Sequence, residues 1–159
     1  YYLRDKENIN GSVDYYYRFS RFVFAGETAF SKNGGRATLN ALEWKPTTPH
    51  IGSVSVLYRN YSKAYQALYA NAFSEGSNVQ NEEGLYLCST FYPFPRASLT
   101  MFTDIIRFPW LRYNVNDPSS AIDYYAMATY SFSRTSIIDI RYKLKRKKKT
   151  QELTVKQFA

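Results

Sequence analysis

The residues with the greatest chemical range are few. His50 is the only histidine and Cys88 the only cysteine. A structural or catalytic zinc needs three or four ligands drawn mainly from these types, so no metal site is expected. A serine–histidine triad would have to be built on His50, which follows Pro49 in a segment that reads as a turn. No Gly-rich phosphate loop or nucleophile elbow is present. A single thiol excludes an internal disulfide and reads as a small strand residue. Glu82 and Glu83 are adjacent, so in a strand they face opposite ways and do not form an acid–base pair by spacing. These observations point away from an enzyme, and no cofactor is expected.

The remaining polar chemistry lies in charges that interrupt alternating segments. Glu27, Asp104 and Asp139 each fall in the middle of a run that otherwise alternates by side-chain type. Asp14, Arg18, Arg21, Arg59 and Arg141 sit in comparable places. A separate basic run, RYKLKRKKK at 141–149, holds seven cations and no acid. The chain as a whole is +8, so removing this run leaves +1, eight less seven. The body is near neutral and carries one basic stretch, which does not describe a uniformly basic nucleic-acid surface.

The elements that position these charges alternate with period two, the signature of strands. Strands are expected at 11–19, 21–31, 36–45, 51–60, 84–92, 96–108, 121–132 and 135–145, with 152–158 beginning a ninth. Short connections fall near Ser20, Pro46, Pro93 and Ser133. Longer or more polar ones fall near Gly34, at 61–82, at 109–120 and after Lys145. Such a rhythm places the short turns at one end of an up-and-down sheet and the long loops at the other.

The strands are long enough to cross a bilayer at a tilt, about 9–11 residues each. Sixteen Tyr, eleven Phe and two Trp recur along the chain, as suits surfaces with an apolar body and a wet rim. No run of about 18 apolar residues forms a candidate transmembrane helix. The fold expected is all-β: an antiparallel up-and-down transmembrane β-barrel, with about eight strands here as part of a larger barrel. The chain begins at Tyr1 on a polar segment and reads as a section of a longer protein. A soluble antiparallel sandwich or barrel accounts equally well for the period, and less well for strand length, aromatic content and loop rhythm.

The stretch YRNYSKAYQALYANAFSEGSNVQNEEGLY, with GETAFSKNGG before it and FPWLRYNVNDPSS after it, resembles the barrel region of the helix-hairpin-helix-domain-containing outer-membrane proteins of Bacteroidota. The resemblance extends from about Ser12 to Lys145. It implies a bacterial outer-membrane location and a barrel of more than eight strands. In that family helix-hairpin-helix repeats, similar to the DNA-binding part of competence proteins, precede the barrel. They are absent here, so nucleic acid is a partner only through that missing part, and no catalytic residue is carried over.

Several candidate sites follow from these readings. Asp14, Arg18, Arg21, Glu27, Arg59, Asp104, Asp139 and Arg141 are candidates to line the lumen. There they either tune what passes or pair across strands and fill the interior. Tyr65, Leu68, Tyr69 and Phe73 suit a short amphipathic helix in the long loop, acting as a lid or packing inward on the barrel rim. Lys143, Lys145, Arg146, Lys147, Lys148 and Lys149 are polyanion-binding candidates. They meet lipopolysaccharide phosphates at the membrane surface, hold nucleic acid, or form a solvated loop tip. The function expected is non-catalytic, in transport or envelope-complex scaffolding, with outer-membrane lipid and other envelope proteins as partners. The alternative is a soluble β-rich module whose basic run contacts nucleic acid or another polyanion.

Overall fold

The computed structural model describes residues 7–112, 115, 117–148 and 153–157, with backbone alone for Lys148 and 153–157. Among the described residues, nine strands form one antiparallel sheet in chain order: β1 (Asn10–Phe19), β2 (Phe22–Ser31), β3 (Arg36–Trp44), β4 (Ile51–Tyr61), β5 (Glu82–Phe91), β6 (Ala97–Phe108), β7 (Ser119–Ser131), β8 (Ile137–Lys148) and β9 (Leu153–Gln157). The architecture is all-β and up-and-down, as the alternation predicts. The sheet is open, because β1 and β9 are its edges.

Connection chemistry follows local residue type. β1 turns into β2 at Ser20, which takes φ 51°, the left-handed geometry of a tight hairpin. Pro46 and Pro49 lie between β3 and β4, and Pro93 and Pro95 between β5 and β6, where a missing N–H removes no ladder bond. The opposite end carries the 32–35 turn, the 62–81 loop and the 109–118 connection.

Registration is staggered. One row of paired residues runs from Phe19 through Phe22, Trp44, Val54, Ser89, Met101 and Ala126 to Tyr142. It starts at the last residue of β1 and ends well inside β8, so the strands tilt relative to the sheet's ends. Closed barrels need a progressive shift of this kind.

The two faces differ sharply. One carries Val13, Tyr17, Phe24, Leu42, Val56, Leu87, Ile105, Tyr124, Ile138, Ile140 and Tyr142 on successive strands. Ile140 is 69% exposed, Val13 66% and Tyr17 64%. Among the described side chains, charges on this face are confined to the long-loop end, at Arg36, Glu83, Arg107 and Arg146. Its short-turn margin is aromatic, with Phe22 stacked on Trp44 (ring centroids 6.5 Å apart) and Tyr130 edge-on to Phe132 (4.7 Å).

The other face carries Asp14, Arg18, Glu27, Glu43, Arg59, Asp104, Asp123, Asp139, Arg141, Lys143, Lys145 and Lys147. The described core also lies there: Ala29, Ala37, Tyr61, Tyr65 and Val79 in one cluster, and Ile106, Phe108 and Ala121 in another. Both clusters are near the long-loop end, where the 62–81 loop folds onto this face.

Candidate functional site

Alternation along β4 puts Leu57, Arg59 and Tyr61 on the charged face. Arg59 lies directly opposite Gly84 on β5. A glycine is required there, because an added Cβ would fall 2.6 Å from Arg59 Nε and Nη1. The guanidinium lies flat across the gap and is fully buried. Its Nε donates to Glu82 Oε1 at 2.6 Å, while Nη1 and Nη2 donate to Asp104 Oδ1 and Oδ2 at 2.9 and 3.1 Å. Two-pronged pairing of this kind is the strongest ionic hydrogen bonding a protein makes. The Phe73 ring closes the site, its centroid 4.9 Å from the guanidinium carbon.

Glu82 also accepts from the loop backbone. Glu75 N–H donates to its two oxygens at 2.9 and 3.0 Å, and Gly76 N–H donates to Oε2 at 3.1 Å. A second tether is ionic: Lys145 Nζ lies 2.7 Å from Glu75 and 2.8 Å from Asp123, and Lys147 Nζ lies 3.2 Å from Glu75. Burial alone would raise the Glu75 carboxyl, but hydrogen bonds from Lys145 and Lys147 and their charges overcome it and hold it below its ordinary value. Asp123 sits opposite Asp104 in the register and is buried, with Oδ1 lacking a hydrogen-bond partner.

Further contacts seat the loop. Tyr61 Oη donates to Phe73 O at 2.9 Å, and Phe73 meets Tyr86 edge-on at 5.2 Å. Tyr86, Phe102 and Tyr125 continue this as a ladder across β5, β6 and β7, with centroids 5.2 and 4.8 Å apart. Gly35 lets the loop backbone at Ala64 and Tyr65 approach the β2–β3 turn, where any side chain would collide. Asn33 Nδ2 then donates to Ala64 O at 2.6 Å. The Tyr65 phenol is pushed up by burial and by the charge of Glu27. Both residues line a cavity of about 170 Å³ beneath the loop.

Of the lumen candidates, Asp14, Arg18, Glu27, Arg59, Asp104, Asp139 and Arg141 share the charged face. Arg21 does not: it falls in the turn before β2, which starts one residue later than the alternation suggests. Arg59 and Asp104 are brought together. Asp139 accepts from Thr129 at 2.7 Å and lies 3.4 Å from Arg141 Nη2, so cross-strand and same-strand pairing occupies several of these groups.

The expected helix in the long loop does not form. Residues 62–81 are irregular, and their contacts explain why. Tyr65 is drawn into the core and Phe73 onto Arg59, while Leu68 is 69% and Tyr69 98% exposed. These four side chains therefore point to different places, and no single apolar stripe exists to stabilise a helix.

The basic run is not a loop tip either. Alternation in β8 divides it, with Lys143, Lys145 and Lys147 on the charged face and Arg146 on the apolar one. β8 reaches Lys148 because β7 and β9 both supply ladder partners. The side chain of Lys148, and the whole of Lys149, lie outside the described residues.

Sequence reasoning did not single out Glu82, Glu75 and Asp123 as site residues. The opposed faces of Glu82 and Glu83 were readable, and Glu83 indeed turns to the other face, 3.9 Å from Arg107. His50 lies at the short-turn end, its Nδ1 3.1 Å from Tyr92 O. Among the described residues no group of three or more His, Cys, Asp or Glu side chains is placed to hold a metal ion. Comparison with protein-family models, curated proteins and solved structures finds no match to this chain.

Proposed function

We propose that this chain is a section of an outer-membrane β-barrel, non-catalytic, acting in transport or as a scaffold in an envelope complex. The observation that carries this reading is the inverted polarity of the sheet. Large apolar side chains are exposed across one face, while charged residues line the other, where Arg59, Glu82 and Asp104 are buried in ion pairs. In water, an exposed apolar surface larger than a few hundred Å² is a liability. In a bilayer the same face meets lipid, its charges retreat to one margin, and aromatic residues occupy the other. The charged face then becomes the interior, narrowed at the long-loop end by the tethered 62–81 loop.

A soluble module that grips a polyanion through its basic run has less to draw on, because Lys145 and Lys147 are already engaged with Glu75 and Asp123.

Tryptophan quenching by brominated lipid tests the reading. In a Trp110→Phe variant reconstituted into vesicles, Trp44 is the sole tryptophan, and it lies on the apolar face. Lipid brominated on the acyl chain quenches its emission if the face meets hydrocarbon. Emission unchanged by brominated lipid, with the protein released from vesicles by washing at high pH, would sink the membrane reading.

A further inference from the structure

Two loops at the long-loop end line an open cavity of about 290 Å³, whose wall includes Gly76 of the tethering network. The 62–81 loop supplies Lys63, Asn78, Gln80 and Asn81 to its wall, and the 109–118 connection supplies Trp110 and Arg112. Among the described residues the charge of the lining is one-sided: its ionised side chains, Lys63 and Arg112, are both cations, and the amides of Asn78 and Gln80 offer both donors and acceptors. Each cation is oriented by a ring: Lys63 Nζ stands 3.7 Å from the Trp110 centroid, and the Arg112 guanidinium 3.9 Å from that of Phe108.

The wall is also built rather than incidental. Asn81 takes φ 54°, a left-handed conformation. Its side-chain amide clasps the Trp110 backbone from both sides, donating to Trp110 O at 3.0 Å and accepting from Trp110 N at 2.8 Å. This clasp joins the two loops that carry Lys63 and Arg112. Two cations and neutral amides on one cavity wall are complementary to a phosphate or carboxylate. The volume admits such a group with about one sugar ring attached, near the lower end of small-ligand pockets.

We infer that this cavity binds a phosphorylated sugar, with Arg112 and Lys63 taking the phosphate and Asn78 and Gln80 the ring hydroxyls. The chemistry is shared by a free sugar phosphate and by the phosphorylated sugars of a lipopolysaccharide headgroup. The inference goes beyond the membrane reading and does not need it, since binding is measured in detergent solution whether or not the chain inserts into a bilayer.

The experiment uses the full chain with Trp44→Phe, leaving Trp110 at the cavity wall as the only tryptophan. Glucose 1-phosphate is expected to change Trp110 emission saturably, where glucose does not. Arg112→Gln should weaken the response about tenfold or more, the usual loss when a charge-assisted hydrogen bond goes, while Lys45→Gln at the short-turn end leaves it unchanged. Arg112 is exposed, so its substitution should not disturb folding, and circular dichroism checks that it does not. Lipopolysaccharide competing at lower concentration than the free sugar phosphate assigns the headgroup as the source; the reverse order assigns the free ligand. No saturable response to either, or an Arg112→Gln variant that binds as tightly as its parent, overturns the inference.

Discussion

Arg59 on β4 binds Asp104 on β6 through two parallel hydrogen bonds of 2.9 and 3.1 Å, passing over Gly84 on the strand between them. The pair therefore spans three strands, and the absent side chain on the middle strand is what permits it. Buried charges are expensive to desolvate, and such pairs add little net stability over an apolar replacement. Their consequence is specificity: a slip of one residue on β5 would put Leu85 or Glu83 under the guanidinium. Because Glu82 on β5 joins the same guanidinium to the backbone of the 62–81 loop, strand register and loop position are set together.

Gly84→Ala tests that arrangement. The methyl group cannot coexist with the guanidinium where it lies, and Arg59 is held by three hydrogen bonds in a closed site. Displacing it separates buried charges, so a loss of about 3 kcal/mol is expected. Urea unfolding of the full chain in detergent measures this. A midpoint equal to that of the native chain would mean that the guanidinium has another low-energy position.

The Glu75 tether carries a pH dependence whose sign is fixed. Its folded value lies below the ordinary 4.5, so its contribution is complete above 4.5 and disappears as pH falls through the lower folded value. Hydrogen exchange at the Glu75 and Gly76 amides reports how firmly the loop is held. At pH 6 the native chain should protect these amides more than Glu75→Gln does, and the difference should vanish as pH drops well below 4.5. A difference that persists into strong acid would show that the carboxylate charge is not what holds the loop.

The strand pattern was legible because each strand separates two surfaces of opposite polarity, so residue type records the face directly. Glu27, Asp104 and Asp139 mark the charged side on three different strands, and the structure places them on one face. Ladder partners are less legible. β5 begins at Glu82 because Glu82 pairs with Tyr61, and β8 runs to Lys148 because β9 returns beside it; neither follows from alternation within one strand. The same limit hid Asp123 and Glu75. That Asp123 faces Lys145 depends on register across β7 and β8, and Glu75 reaches Lys145 across 70 residues of sequence. The amphipathic spacing in the loop misled because Tyr65 and Phe73 are claimed by different tertiary partners.

The apolar face offers a test by depth. Leu87 sits near the middle of that face, paired with Val56 and Thr103 and 40% exposed. Asn60 lies on the same face at its charged margin, bonded to Glu83 at 3.1 Å. In water an exposed Leu87→Arg substitution would change stability by no more than about 0.5 kcal/mol, since it creates neither a cavity nor an unpaired buried charge. Against hydrocarbon the same arginine costs roughly 2–4 kcal/mol near the midplane and about 0–1 near the interface. In lipid vesicles, Leu87→Arg should therefore lower the urea midpoint far more than Asn60→Arg. In the full chain dispersed in detergent, whose packing around the sheet is looser, the gap should narrow. If the two arginines prove equally tolerated in vesicles, the face does not contact lipid, and its exposed side chains must be covered by protein instead.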